Sequence, residues 1–323
     1  VNTRRLLLVL NRRAGRCKHL TIKREAHRNL WGYRIEDVAP RSREELGAIL
    51  AGLDPREHAA LLLAGGDGTI NCALPHLLGK QVPLLPLPVG TANDLAVNLG
   101  IRYDWNVVQR LLDTGERARI DLIRVNQGLY ATVGGMGVGA MLTHDINESR
   151  ERSPTFKTLN KIIRSEMYTL MTARTIVFGS GFTHRVRISG EELDLPAGER
   201  RRQREIESAV ILVCNQSFLG GDLRITDASR NDDGSMEVFV GNVHTRLDLM
   251  RMLLDLKRGR HSTLSHVFSA RRFSMEDVDG RPIMIFGDGE TLLSSPRVDF
   301  SVERGALLVV RHAKTSQRSL TAS

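Results

Sequence analysis

In Leu61-Leu62-Leu63-Ala64-Gly65-Gly66-Asp67-Gly68-Thr69 an apolar run stops at a glycine-rich turn carrying one carboxylate and one hydroxyl. The run reads as a β-strand. Gly65, Gly66 and Gly68 lack a Cβ, so the backbone there can take positive φ and approach a ligand closely. Successive bare N–H groups in such a turn make an anion-binding concavity. A helix over Ile70 to Leu78, made less regular by Pro75, would add the attraction of its dipole for phosphate. Strand, glycine loop and helix together point to a nucleotide. The competing reading is a tight βα turn that holds nothing.

A second stretch tips the balance. Pro83-Leu84-Leu85-Pro86-Leu87-Pro88-Val89-Gly90-Thr91-Ala92-Asn93-Asp94-Leu95-Ala96 again runs from apolar strand through a Gly-Thr turn to a helix start, with Asn93 or Asp94 suited to the N-cap. The two turns lie one βαβ unit apart. Parallel strands therefore place both at the same carboxyl edge of a sheet, where open α/β folds bind ligands.

The chain has 323 residues, room for two domains. Apolar residues make up 41% and charged residues 26%, a globular rather than a disordered balance. No apolar run is long enough to span a membrane. Val1 to Leu10 superficially resembles a signal peptide, but its apolar core is short and Asn11-Arg12-Arg13 follows at once, so a first strand is expected. Cys17, Cys72 and Cys214 are widely separated and lack CxxC spacing, in keeping with a reduced, cytoplasmic protein. Of the net charge of +9, much gathers in residues 1–30, where nine Lys/Arg face one acid, Glu25. Such a cluster suits phosphates, nucleic acid or an anionic membrane surface. Nucleic acid is disfavoured by an aromatic content of 5% and the lack of a recognisable nucleic-acid module.

Strand and helix patterns alternate to about residue 125. Leu6–Leu10, Leu61–Ala64 and Val82–Leu87 read as strands; Ser42–Leu53 and Trp105–Leu112 read as helices. Beyond, the pattern is a succession of strands: Asp121–Val125, Leu129–Val133, Thr175–Phe178, His184–Ile188, Ala209–Cys214, Met236–Val240, Thr263–Phe268, Arg272–Met275, Ile283–Phe286, Arg297–Val302 and Ala306–Arg311. Turns between most of them imply antiparallel pairing. Two helices interrupt this series. One carries Leu159, Ile162, Ile163, Met167, Leu170 and Met171 at helical spacing; the other, Leu247–Leu256, follows Thr245. The run Arg200-Arg201-Arg202-Gln203-Arg204 reads as an exposed loop tip, and His261 and His266 read as solvated. The expected domains are residues 1–124, 125–314 and a polar tail 315–323, with the last strand able to return to the first domain.

With Phe286-Gly287-Asp288-Gly289-Glu290 added to the two glycine turns, in this order, the chain resembles the diacylglycerol kinase catalytic-domain family, which includes soluble bacterial lipid kinases and the sphingosine and ceramide kinases. Gly134-Gly135-Met136-Gly137 and Asn231-Asp232-Asp233-Gly234-Ser235-Met236-Glu237-Val238 lend weaker support. The resemblance runs from Leu6 to about Val310. It implies an α/β nucleotide-binding domain, a mainly antiparallel β-sandwich-like lipid domain and a site in the cleft between them. It also implies ATP-dependent phosphorylation of a hydroxyl on a membrane lipid such as diacylglycerol or a sphingoid base.

By position, the resemblance assigns ATP contacts to Gly65, Gly66, Asp67, Gly68, Thr69, Asn71 and Thr91. It makes Glu290 the proton acceptor and sets Asp67, Asp94 and Asp121 around a catalytic Mg2+. A further metal site falls on the Asp233 carboxylate and the backbone carbonyls of Arg230 and Ser235. These residue types suit phosphoryl transfer, which needs positioning and charge neutralisation more than covalent help. Mg2+ takes one or two carboxylates and keeps several waters. A carboxylate within hydrogen-bond reach of a hydroxyl can take its proton.

The expected partner is a lipid at an anionic membrane surface, met peripherally from the cytoplasm and held by the N-terminal basic cluster. Oligomeric state is left open, a homodimer among the options. The pattern departs from the family at Val38-Ala39-Pro40-Arg41-Ser42, where a nucleotide-contacting threonine is missing and Ser42 is the candidate stand-in, and at Tyr130-Ala131-Thr132-Val133, which precedes the glycine segment without the usual asparagine. Three alternatives stand beside the lipid kinase. One is a non-catalytic lipid- or nucleotide-binding regulator, and another is an NAD kinase-like enzyme, since that loop also reads Gly-Gly-Asp-Gly-Thr. The third is a dinucleotide oxidoreductase using Gly135-Met136-Gly137-Val138-Gly139-Ala140 as a GxGxxA turn.

Overall fold

The computed structural model describes residues 4–12, 19–141, 183–194, 200–220, 223–227 and 229–313. In chain order the elements are β1 Arg4–Leu10, α1 His19–Asn29, β2 Tyr33–Val38, α2 Arg43–Ala51, β3 His58–Gly65, α3 Asp67–Leu77, β4 Leu84–Pro88, α4 Asp94–Asn98, α5 Trp105–Thr114 and β5 Glu116–Val125. There follow β6 Gly128–Tyr130, β7 Val133–Gly137, β8 His184–Asp194, β9 Arg200–Ser208, β10 Val210–Cys214, β11 Phe218–Leu219, β12 Leu223–Arg224 and β13 Met236–Gly241. The last are α6 Arg246–Lys257, β14 Ser265–Ala270, β15 Arg272–Asp277, β16 Ile283–Gly287, β17 Glu290–Ser295 and β18 Arg297–Arg311. The chain divides into two compact units, Val1–Ile120 with Gly305–Ser323, and Asp121–Arg304. It passes between them within β5 and within β18.

The first unit is built on a parallel sheet in the order β2-β1-β3-β4, extended by the end of β18, where Val309 pairs with Leu84. Leu6 to Leu10 and Ala60 to Ala64 are buried without alternation, as strands covered on both faces require. The apolar runs that mark these strands in the sequence are thus the sheet centre. Register sets Leu10 opposite Ala64 and Gly65 opposite Pro88. The strands therefore end together, and Asn11, the Gly66–Thr69 stretch and the Val89–Asp94 turn all emerge at one carboxyl edge.

The second unit is antiparallel. One sheet runs β14-β13-β10-β7-β16-β17; the other includes β15, β8, β9 and the start of β18. Residues alternate between two cores with the period of two that a strand dictates. Ile211, Val213, Met236, Val238 and Ile285 point into the inter-sheet core with Phe273 and Phe300, whose rings stack at 4.8 Å. Val210, Leu212, Phe239 and Phe286 point the other way, into a core closed by Leu249, Met252 and Leu256 of α6. Helix α6 opens with a full capping box between Thr245 and Asp248.

Several expectations need correcting. Helix α3 begins at Asp67, not Ile70, with Gly66 as its N-cap, so Asp67, Gly68 and Thr69 form its first turn; Pro75 lies inside it. The single strand expected over Leu129–Val133 is two, β6 and β7, broken at Ala131-Thr132, because both backbone N–H groups there bind a carboxylate instead of a neighbouring strand. Arg200–Arg204 is not a loop tip but the start of β9, paired with β8. The two strands expected over Arg297–Val302 and Ala306–Arg311 are one, since Gly305 at φ 55° carries the chain through without a turn. The GxGxxA reading fails: Gly135 and Gly137 lie inside β7, at φ 143° and 86°, and a Cβ on Gly137 would sit 1.8 Å from the Ala209 carbonyl oxygen. Those glycines permit a close strand pairing with β10; they do not turn toward a pyrophosphate. His266 is half-buried rather than solvated: its Nε2 has no hydrogen-bond partner, and burial holds its pKa below the usual value. The helix expected around Leu159–Met171, the strand Thr175–Phe178 and Cys17 lie outside the described residues. Among the described residues, no helix is long and apolar enough to cross a membrane.

Candidate active site

The first unit gathers its candidate residues by joining the two glycine turns. A Cβ on Gly90 would lie 2.3 Å from the Gly66 Cα, so these backbones touch and neither position admits a side chain without displacement. Glycine is thus required here by the contact between the two turns, and not only by the approach of a ligand. Gly66 sits at φ −101°, and neither it nor Gly65, Gly68 or Gly90 uses positive φ.

The turns are then tied by hydrogen bonds. Asn93 N donates to Asp67 Oδ2 at 2.8 Å. The Asn93 side chain accepts from Gly90 N at 2.7 Å and donates to Gly90 O at 3.2 Å. It holds this position in the left-handed region, at φ 58°, which Asn tolerates better than most residues. Asn93 is the N-cap of α4, but its side chain is spent on the turn and not on the helix.

Asn11, which sequence reasoning passed over, completes the edge. Its N donates to Ala64 O at 3.0 Å and its Nδ2 to Thr69 Oγ1 at 2.6 Å. Its signal was available: a polar amide directly after a buried apolar strand, at the edge already marked by the other two turns. Asp94, the first residue of α4, is buried with 8% exposure, while Asp67, Thr69, Asn71 and Thr91 are half-buried. The edge thus combines the N-terminus of α3, two carboxylates, hydroxyls and amides. Ser42 instead caps α2, its Oγ accepting from Glu45 N at 3.1 Å. Of the N-terminal basic cluster, Arg5 pairs with Glu57 at 2.9 Å and Lys23 with Asp37 at 2.7 Å; Arg13, Arg16 and Lys18 lie outside the described residues.

The second unit holds the remaining candidates. Glu290 opens β17 directly after a two-residue hairpin turn, Asp288 at φ 52° and Gly289 at φ 73°, with Gly287 paired opposite it. Positive φ at both central residues is the I′ geometry that Asp-Gly favours. Asp288 is buried, and its carboxylate accepts from Ala131 N, Thr132 N at 2.9 Å and the Thr132 hydroxyl at 2.6 Å. Asp288 therefore fixes the turn, and Glu290, half-buried, stands at its exit.

Asp121 is also buried. Its carboxylate accepts from Gly234 N at 2.7 Å, and its N donates to Asn231 O at 2.7 Å, so it anchors the Asn231–Ser235 turn. In that turn Asp233 is exposed, and its Oδ1 accepts from Ser235 N at 3.0 Å and Ser235 Oγ at 2.8 Å; Arg230 reaches Asp232 at 3.3 Å. The turn leads into β13, and among the described residues no strand pairs across it. Nearby Glu237 is buried, and burial, with the Asp233 charge adding to it, pushes its carboxyl above the usual range despite a hydrogen bond from Ser229. Among the described residues, no three His, Cys, Asp or Glu side chains cluster as a ready metal centre.

Comparison with known proteins covers most of the chain. Residues 5–125 match the diacylglycerol kinase catalytic domain, and residues 136–311 match the YegS C-terminal NAD kinase beta sandwich-like domain. A diacylglycerol kinase of Mycobacterium tuberculosis (strain CDC 1551 / Oshkosh) is 25% identical over 306 residues, covering 92% of this chain and 90% of its own. A YegS-like lipid kinase of Pseudomonas aeruginosa PAO1 is 30% identical over 256 residues, covering 78% and 76%. The fold matches two crystal structures of diacylglycerol kinase-type chains from Bacillus anthracis str. Sterne. Their TM-scores are 0.72 and 0.66 at 18% and 15% identity, and each match covers 96% of this chain and 97% of the other. The α/β unit, the antiparallel sandwich and the three motifs thus have one origin: the chain belongs to the diacylglycerol kinase catalytic-domain family of lipid kinases.

Proposed function

We propose that this kinase transfers the γ-phosphoryl group of ATP to a hydroxyl of a membrane lipid such as diacylglycerol or a sphingoid base. ATP is the substrate that the kinase family implies. The observation that carries the reading is the contact of Gly66 with Gly90, locked by the Asn93–Asp67 hydrogen bond. It brings two phosphate-type turns to one sheet edge at the N-terminus of α3, where backbone N–H groups and the helix dipole favour a triphosphate.

In this reading Gly65 to Thr69, Asn71 and Thr91 hold the nucleotide, with Thr69 oriented by Asn11. Asp67 and Asp94 are hard oxygen donors of the kind Mg2+ takes beside substrate phosphates, and they would hold that ion. Bound there, Mg2+ would neutralise charge on the phosphates. Glu290 accepts the proton of the lipid hydroxyl as the oxygen attacks phosphorus. A second cation at Asp233 and the carbonyls of Arg230 and Ser235 would have suitable oxygen donors.

The test is incubation with labelled ATP and a panel of diacylglycerol, sphingosine, phosphatidylglycerol and NAD+, with product identification. A phosphorylated lipid is expected, and Glu290→Gln and Asp67→Ala should lose turnover. Phosphorylation of NAD+ alone, or full turnover by Glu290→Gln, would sink the assignment.

A further inference from the structure

Helix α6 is apolar on two faces. Leu249, Met252 and Leu256 close the outer core of the second unit. Leu247, Met250 and Leu254 point away from it, 55%, 47% and 47% exposed. Their spacing of three and four residues makes one continuous stripe. Packing of the helix does not require this stripe, since the inner face already does that work.

Charge frames it. At 100° per residue, Arg251 and Arg258 flank the stripe on one side, Arg246 and Lys257 on the other, and Arg260 follows in the next turn. From Arg246 to Arg260 five cationic side chains face two carboxylates. Asp248 is committed to the capping box, and Asp255 lies further round toward the core. Arg251, Leu254, Asp255, Arg258, Thr263 and Leu264 also line a shallow groove of about 330 Å³, in which the two guanidinium groups outnumber the single carboxylate. An exposed apolar stripe with basic margins is the pattern of a helix lying in the plane of an anionic bilayer, its apolar residues among acyl chains and its cations among headgroups. A second copy of the chain suits it poorly, because a two-fold contact would set these cations against one another.

We infer that the outer face of α6 docks this protein on the surface of an anionic lipid bilayer. The inference rests on the proposed lipid acceptor for its purpose, but not for its test. It also moves docking away from the N-terminal basic cluster, where Arg5 and Lys23 already have acidic partners.

The experiment measures binding of the full chain to phosphatidylcholine vesicles with and without phosphatidylglycerol, in low and high salt. Wild type should prefer the anionic vesicles and weaken as salt rises. The variant Leu247→Ser/Met250→Ser/Leu254→Ser should bind at least about ten-fold more weakly. It should keep its unfolding temperature and its turnover of detergent-dispersed lipid. Arg251→Gln/Arg258→Gln should keep residual binding but lose much of the preference for anionic vesicles. Vesicle binding by the triple variant equal to wild type would overturn the inference. So would a wild-type dimer that the triple substitution converts to monomer without loss of vesicle binding. If wild type binds, the triple variant does not, and no lipid is phosphorylated, docking stands and the proposed activity falls.

Discussion

The Thr132 hydroxyl donates to Asp288 Oδ1 at 2.6 Å, and the same carboxylate accepts from the Thr132 backbone N–H at 2.9 Å. The break between β6 and β7 thus exists to hold the turn that delivers Glu290. Asp288→Ala leaves two buried N–H groups and a hydroxyl without their acceptor, at a cost of about 3 kcal/mol. Asp288→Asn keeps an acceptor and tolerates positive φ, and should cost about 1 kcal/mol. Denaturant unfolding of the two variants measures the difference; equal losses would mean that the carboxylate does not brace the turn.

The Gly66–Gly90 contact leaves no room for a methyl group. Gly90→Ala should destabilise by about 1–3 kcal/mol through overpacking and weaken nucleotide binding. Gly52→Ala is the control, since its added Cβ meets nothing closer than 3.4 Å. Calorimetric titration with ATP separates them: unchanged affinity in Gly90→Ala would contradict a shared phosphate site.

Asn93 combines a left-handed backbone with two side-chain bonds to Gly90. Asn93→Gly keeps the backbone and loses the bonds, while Asn93→Ala loses both advantages. Asn93→Ala should therefore be the less stable of the two, by about 1 kcal/mol. Thermal unfolding in the opposite order would contradict the strain argument.

Glu237 supplies a pH test. Burial raises its carboxyl above an ordinary value near 4.5. The native state then holds a proton that the unfolded state releases, so this group's contribution to stability falls as pH rises above about 4.5 and levels off beyond its raised folded value. Glu237→Gln has no charge to bury. Its unfolding temperature should gain on wild type as pH rises above about 4.5. Parallel profiles for the two proteins would refute the raised value.

How far the sequence could be read depended on the range of the interactions involved. The parallel strands announced themselves because Leu6–Leu10 and Leu61–Ala64 are buried on both faces. Helix α6 is legible as the Leu247–Leu256 run that follows Thr245. Strand β9 was obscured by Arg200–Arg204, a basic run that only its pairing with β8 reveals as a strand. The split at Ala131-Thr132 depends on Asp288, some 156 residues away, which no local pattern can show. The resemblance marks the Gly-Asp-Gly-Glu positions, but that Asp288-Gly289 is a two-residue hairpin turn shows only in the pairing of Gly287 with Glu290. The place of Asn11 directly after an apolar strand is legible, but its bond to Thr69, 58 residues distant, is not.

Strand β18 carries a consequence for how the protein is made. Its residues Leu307, Val309 and Val310 are buried, and Val309 pairs with Leu84 of β4. The sheet that bears the glycine turns is therefore finished by residues translated after almost all of the other unit. During synthesis β4 must wait with its edge open until residue 309 leaves the ribosome. A fragment that stops at Ile120 would inherit that open edge permanently.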